Sequence, residues 1–221
     1  MLITEELLLL LTKPEGKAEN WGMYASYGMA AAVVTDLIVA ERVTLSQDKD
    51  PRVGILSPQP TGNPILDPAL ARLGEKSGKK LSGLIMDRKL DPTKNVVEAL
   101  TKAGIIAVEP KRMLGLIPEK RPTLNPVPEQ RVRDRLRSVL AGSTPTIADA
   151  ALLSILQGLD VAHKILQSEA GGLTKRELKQ RIKAVSAAMP AGNAVERCVQ
   201  MMTMVIVTAA IMPAITSGAA G

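Results

Sequence analysis

The sequence predicts a mostly α-helical protein, a helical domain around a central hydrophobic helix with β-hairpins at its periphery. Its 221 residues contain no Phe, one Trp and two Tyr, so the core must come from aliphatic residues and Met. Among these, Leu, Ala and Met favour helix. Five consecutive leucines, Leu7–Leu11, are apolar on every side of a helix, which is typical of a helix surrounded by protein. The length allows a single domain over residues 1–221.

The leucine run defines the first helix. Thr4 can cap its start, and acidic residues follow where the helix dipole favours negative charge. Pro14 and Gly16 end it. Apolar residues at three- and four-residue steps from Met23 predict a second helix over residues 23–41.

A small hairpin and a short helix follow. Residues 42–45 and 52–56 alternate in polarity around a turn-rich segment, which predicts two paired strands. Residues 65–73 predict a helix that Asp67 caps. Residues 74–80 are rich in Lys, Gly and Ser, and we interpret them as a basic, mobile linker.

The next segment predicts a helix and a second hairpin. The helix covers residues 91–103, and Gly104 ends it. Residues 105–108 and 113–117 are apolar and predict two strands that residues 109–112 join.

Helices account for the rest of the chain. They are predicted over residues 129–141, from Thr146 to Gln167, and from Thr174 onwards. The apolar run 198–215 is interrupted by polar residues and Pro213, which favours a buried helix over a membrane span.

Positive charge is concentrated in one third of the chain. The net charge is +6, yet residues 74–137 alone contain 15 Lys and Arg against 8 Asp and Glu. The remaining residues contain 13 and 14 respectively. We therefore expect an anionic partner, either a membrane surface or a nucleic acid, to meet this third, which we call the basic third.

Enzymatic chemistry has little support in the sequence. Cys198 and His163 are the only residues of their kinds, which excludes an internal disulfide and leaves no ligand set for zinc. Asp160 precedes His163 by three residues on the same predicted helix, but no activated nucleophile accompanies them. No phosphate-binding glycine loop is present. We predict a protein that is not an enzyme and has no catalytic residue, metal or cofactor.

An apolar segment inside the basic third predicts a membrane-inserting hairpin tip. Four large apolar residues stand between the basic pairs Lys111-Arg112 and Lys120-Arg121. These residues are Met113, Leu114, Leu116 and Ile117. Such a tip can enter the lipid interface while the flanking cations meet anionic headgroups. The alternative is an ordinary strand buried against neighbouring helices.

A second alternative is a nucleic-acid-binding regulator. A helix, a glycine and a basic hairpin over residues 90–121 resemble a winged helix, and the arginines between Arg131 and Arg137 could contact phosphates. The centre of this wing would be apolar, and no separate polar recognition helix is evident. We therefore favour a membrane surface over nucleic acid as the partner.

Several segments together resemble the Golgi phosphoprotein 3 domain family. The opening residues up to Trp21 carry the first similarity, and further segments follow in the same order and spacing. These are residues 40–43 (AERV), 60–62 (PTG), 65–70 (ILDPAL), 97–106 and 113–116. The resemblance implies a mostly helical fold around a hydrophobic helix. For eukaryotic members it implies a peripheral membrane adaptor that binds phosphatidylinositol 4-phosphate, inserts its hairpin tip and retains Golgi glycosyltransferases.

The resemblance also implies a headgroup pocket. The pocket tryptophan of the family matches Trp21, whereas its three arginine positions fall on Ala30, Leu90 and Thr93. Three nearby cations could supply the missing charge. The predicted headgroup-binding residues are therefore Trp21, Arg88, Lys89 and Lys94.

The basic third, the apolar tip and the resemblance together predict a cytoplasmic protein that associates peripherally with membranes and binds anionic lipid. The lipid could be phosphatidylinositol 4-phosphate, at the cytosolic Golgi face if the protein is eukaryotic. We also expect protein clients and a second copy of the chain as partners. Because the chain begins directly at the domain, without the basic tail of eukaryotic members, we expect a bacterial relative.

Overall fold

The computed structural model of the chain describes residues 1–17, 23–110 and 119–187. Helices form most of it, as predicted, and a small antiparallel sheet lies at the periphery. In chain order the helices and strands are α1 (Ile3–Leu10), α2 (Met23–Val39), β1 (Val43–Leu45), β2 (Val53–Ile55), α3 (Leu66–Glu75), α4 (Leu81–Ile85), α5 (Thr93–Lys102), α6 (Val127–Ala141), α7 (Ile147–Gly158), α8 (Ala162–Ile165) and α9 (Lys175–Ala187).

Helix α1 is the centre of this arrangement, as the sequence predicts. It packs against α2, α5, α6 and α7, and all five leucines of Leu7–Leu11 are buried. A helix in contact with neighbours on several sides needs an apolar surface all round, and the leucine run supplies it. Within the described ranges, no helix is long and apolar enough to cross a membrane.

Asp36 of α2 caps the start of α1. Its carboxylate accepts hydrogen bonds from the backbone N–H of Ile3 at 2.8 Å and of Thr4 at 3.0 Å, and from the Thr4 hydroxyl at 2.9 Å. The predicted cap was wrong, because Thr4 lies inside the helix and its hydroxyl bonds to Asp36. A buried side chain from another helix satisfies these N–H groups, which have no partner within α1.

The first hairpin forms as predicted, with Val43 opposite Ile55 and Leu45 opposite Val53. The predicted cap of α3 was wrong. Asp67 lies within the first turn of α3 and accepts hydrogen bonds from the backbone N–H and the hydroxyl of Thr61, both at 2.6 Å. Asp67 thus fastens the preceding loop onto the helix.

Residues 74–80 are not a mobile linker. Residues 74 and 75 end α3, and residues 78–81 then run antiparallel to the chain before and within β2. The N–H of Val53 donates to the carbonyl of Lys79 at 3.0 Å, and the N–H of Leu81 donates to that of Pro51 at 2.7 Å. Polar composition alone suggested mobility, whereas backbone pairing with β2 gives the segment a fixed course.

The second hairpin pairs differently from the prediction. Residues 106–109 face residues 120–123, with bridges Ile106–Thr123 and Glu109–Lys120. The described returning arm therefore covers residues 120–123. The residues predicted as the return strand, 113–117, lie outside the described residues. The predicted turn at 109–112 was wrong at Glu109, which belongs to the paired arm, and residues 111–112 lie outside the described residues.

The helix predicted from Thr146 to Gln167 is two helices. Thr146 caps α7 as predicted, and its hydroxyl and Asp149 form a capping box. The chain then breaks at Asp160, which has a positive φ of 57°, and restarts as α8. Asp160 and His163 therefore do not share a helix, and Asp160 instead bonds to Lys175 at 2.7 Å. Thr174 precedes α9 as predicted, and the run 198–215 lies outside the described residues.

Candidate functional site

Two of the predicted headgroup-binding residues, Arg88 and Lys89, lie on an exposed single-turn 3-10 helix between α4 and α5. Asp87 caps this turn by accepting a hydrogen bond from the N–H of Lys89 at 3.0 Å. Leu90 anchors the end of the turn in the core. The two cations are thus presented to solvent from a well-fixed backbone.

Asp87 is held in place from α3. The guanidinium of Arg72 donates to one Asp87 oxygen through Nε at 2.9 Å and Nη2 at 2.6 Å. Burial acts to raise the pKa of Asp87, but the N–H of Lys89 and the Arg72 guanidinium outweigh it and hold that pKa below its usual range. The carboxylate is therefore ionised and neutralised by Arg72.

Lys94 lies in the first turn of α5 and is 88% exposed. Its ammonium is 3.9 Å from the carboxylate of Glu98, an exposed pair of the kind that contributes little to stability. Trp21, the fourth predicted headgroup residue, lies outside the described residues.

Two positions where the resemblance implies pocket arginines belong to the hydrophobic core here. Ala30 and Leu90 are each about 1% exposed. Thr93, at the third position, donates its hydroxyl to Asp91 at the start of α5. None of the three supplies a cation, so any headgroup contact in this region must come from other residues, such as Arg88 and Lys89.

The described arms of the second hairpin form a stem that is fastened to the loop after α1. The N–H of Arg121 donates to the carbonyl of Gly16 at 2.8 Å, and the N–H of Thr123 donates to that of Pro14 at 3.2 Å. Exposed apolar side chains accompany the stem, with Val108 at 39% and Leu124 at 62% exposure. The predicted inserting segment, which includes Lys111, Arg112, Met113, Leu114, Leu116 and Ile117, lies outside the described residues.

The α6 arginines that the nucleic-acid alternative invoked are engaged in ion pairs. Arg135 joins three helices, because it bonds to Glu6 of α1 at 2.6 Å and to Asp149 of α7. Arg133 pairs with Glu129 at 2.8 Å and with the buried Glu169 at 3.3 Å. Arg137 pairs with Asp134 at 2.6 Å. Of the four arginines, Arg133 and Arg135 therefore cross-link the fold and Arg137 is paired within α6, which disfavours the alternative.

The structure also shows a cationic cleft that sequence reasoning missed. Its volume is about 600 Å³, and it opens between β2, α3 and α4. Five cations line it, which are Arg52, Arg72, Lys76, Lys79 and Lys80. We call it the lysine cleft. The sequence signal was the lysine-rich segment 76–80, but nothing in the sequence placed Arg52 or Arg72 beside it.

Residues that could hold a metal are absent from the parts of the chain that the structure describes, where no group of three or more His, Cys, Asp or Glu side chains gathers. The sequence pattern of the family described as Golgi phosphoprotein 3 (GPP34) matches residues 3–202, which is nearly the whole chain. No curated protein sequence matches the chain.

Proposed function

The chain belongs to the Golgi phosphoprotein 3 (GPP34) family, and on this premise we propose that it is a non-enzymatic peripheral membrane protein that binds anionic phospholipid. Family membership is the observation that carries the proposal. The basic third supports it, because 15 cations against 8 acidic residues over residues 74–137 would attract the chain to an anionic bilayer.

Binding would proceed in two steps. The cations would first draw the molecule to the surface, with each one near an anionic bilayer contributing about 1 kcal/mol. The apolar hairpin tip, which carries Leu114 and Leu116, would then enter the lipid interface. Val108 supports the second step, because it exposes apolar surface beside Glu109, at the end of the described stem nearest the tip.

Phosphatidylinositol 4-phosphate is the lipid that we propose. Arg88 and Lys89 would contact its headgroup from the turn that Asp87 caps, and Lys94 and Trp21 are the further proposed contacts. The protein would act in the cytoplasm, at the Golgi face if it is eukaryotic. Protein clients held at the membrane, and a second copy of the chain, are the proposed protein partners.

Vesicle flotation tests this proposal. The protein is mixed with phosphatidylcholine vesicles, with or without phosphatidylinositol 4-phosphate, and the fraction that floats is measured with and without duplex DNA. We expect flotation only with the anionic lipid, and we expect DNA not to compete. Arg88→Ala plus Lys89→Ala should weaken the partition coefficient about 30-fold, since two contributions of about 1 kcal/mol each are lost.

The matched control is Lys179→Ala plus Lys183→Ala, which removes the same charge from exposed positions of α9, outside the basic third. This control should float almost as well as the wild type. Equal weakening in both double variants would show that net charge alone governs binding and would remove the assigned headgroup residues. Loss of flotation when DNA is added would instead support the nucleic-acid alternative.

A further inference from the structure

The lysine cleft has a preformed backbone. The residues that carry its lysines are tied to β2 on both sides of Lys79, since the N–H of Gly78 donates to the carbonyl of Val53 at 2.8 Å and the N–H of Val53 donates to the carbonyl of Lys79 at 3.0 Å. The side chain of Arg52 adds a bond from Nη1 to the carbonyl of Gly78 at 2.8 Å. A site built on paired backbone needs little ordering when a ligand binds.

The charge in the cleft is not balanced. Asp87 is the single carboxylate among the lining residues, and Arg72 already neutralises it through two hydrogen bonds. Among the described residues, Lys76, Lys79 and Lys80 form no ion pair, and the side chain of Arg52 bonds only to the carbonyl of Gly78. Cations that share one concave surface repel each other and focus a positive potential into it. A multiply charged anion would relieve this repulsion.

We propose that the lysine cleft binds a phosphomonoester group. A phosphate carries nearly two negative charges near neutral pH and has several acceptor oxygens, which suits several ammonium groups together with an arginine. A volume of about 600 Å³ also leaves room for the molecule that carries the phosphate. That carrier is either a soluble phosphate ester or the headgroup of a lipid such as phosphatidic acid.

This site is distinct from the one in the proposed function, because Arg88, Lys89 and Lys94 do not line the cleft. A soluble phosphate ester could also bind at this site in the absence of a membrane.

Gly83 provides the test variant. It lines the cleft, lies in α4, and has open space where a side chain would begin. Gly83→Glu therefore introduces a carboxylate at the cleft, and Glu has a higher helix propensity than Gly. Gly74→Glu is the matched control, because Gly74 also lies in a helix, also has open space around it, and is not among the lining residues.

The first arm of the experiment is isothermal titration calorimetry with inorganic phosphate and with glycerol 3-phosphate. The wild type and Gly74→Glu should bind both probes, and Gly83→Glu should bind them at least about tenfold more weakly. Lys79→Gln plus Lys80→Gln gives a second variant at exposed positions and should weaken binding in the same way. Thermal unfolding of each variant shows whether the fold is kept.

The second arm is flotation with phosphatidylcholine vesicles that contain phosphatidic acid. If the natural ligand is a lipid headgroup, Gly83→Glu should reduce flotation while Gly74→Glu does not. If the ligand is soluble, only the calorimetric arm should respond to Gly83→Glu. The proposal would be overturned if the wild type bound none of the three probes. It would also be overturned if Gly83→Glu and Gly74→Glu weakened binding equally. The Arg88 and Lys89 variant tests the membrane function separately.

Discussion

Asp36 is a buried carboxylate whose role is to cap a helix that belongs to another part of the chain. Burial raises its pKa to about 6, and the neighbouring Glu5 also acts to raise it. The N–H groups of Thr4 and Ile3 act in the opposite direction, because they bond to the carboxylate. The net effect is that the folded chain holds a proton here more tightly than the unfolded chain does.

This pKa predicts a pH-dependent stability. Between the ordinary aspartate value of 3.8 and about 6, the folded state binds more protons at Asp36 than the unfolded state. The contribution of Asp36 to the free energy of unfolding is therefore fully present below the lower value and is lost as the pH rises through about 6. Since one pKa unit corresponds to about 1.4 kcal/mol, the loss amounts to about 3 kcal/mol.

Urea unfolding of the wild type and Asp36→Asn checks the prediction. Asn keeps one acceptor oxygen but cannot titrate. The hydrogen bond that it loses therefore lowers the free energy of unfolding by the same amount at every pH. The stability of the wild type relative to Asp36→Asn should fall as the pH is raised from about 4 to about 7. A difference that does not change with pH would contradict the raised pKa.

At the scale of elements, the loop after α1 and the stem of the second hairpin are in direct backbone contact. Gly16 has a φ of +82°, and a Cβ added to it would lie 2.5 Å from the backbone nitrogen of Arg121 and closer still to that of Pro122. Only glycine permits this approach, both because of its positive φ and because the neighbouring atoms are backbone. Gly16 thus joins the central helix to the stem that carries the proposed membrane tip.

Gly16→Ala should therefore destabilise the protein more than an ordinary glycine substitution at positive φ. Gly62→Ala is the control, since Gly62 has a φ of +77° but nothing within 4 Å of the position that a Cβ would take. In both variants the free energy of unfolding should fall by about 1 kcal/mol, because alanine disfavours the left-handed backbone. In Gly16→Ala it should fall by at least about 1 kcal/mol more, because the stem must move. Urea unfolding measures this, and hydrogen exchange at the Arg121 amide should accelerate in Gly16→Ala alone. Equal losses in the two variants would show that the contact is not tight.

The sequence predicted most elements but not how their ends are satisfied. Apolar spacing located α2, α5 and α9 well, because burial of one face depends on residues close in sequence. Thr4 and Asp67 have the residue types of helix caps, yet both make their hydrogen bonds to residues outside the helix start that they were expected to cap. The break at Asp160 was missed because apolar spacing continues across it, and a positive φ at a non-glycine residue leaves little trace in a sequence.

At the scale of the whole molecule, composition predicted where charge would accumulate but not which cations would meet. Lys76, Lys79 and Lys80 are close in sequence, whereas Arg52, just before β2, and Arg72 of α3 reach the same cleft from elsewhere in the chain. Only the pairing of residues 78–81 with β2 brings them together. Conversely, Arg133 and Arg135 added to the apparent surplus, although their ion pairs with Glu129, Glu169, Glu6 and Asp149 hold the fold together. Net charge therefore overstates the cations that α6 offers to a partner.

The proposed docking of the molecule on a bilayer predicts two separable steps. Leu114→Asp plus Leu116→Asp places carboxylates in the predicted inserting tip and leaves every cation of the basic third in place. If the tip inserts, this variant should lose membrane association in flotation with phosphatidylinositol 4-phosphate vesicles, because buried charge at the lipid interface is unfavourable. Its melting temperature should be close to that of the wild type.

Val39→Asp plus Leu56→Asp is the matched control, since these exposed apolar residues lie outside the basic third and receive the same added charge. The control should keep most of its membrane association, which separates loss of the tip from the general effect of two new negative charges. If the tip is instead a buried strand, Leu114→Asp plus Leu116→Asp should lower the melting temperature by several degrees, as expected when charge enters a core. That result would exclude insertion as the second step and leave the cations as the only means of attachment.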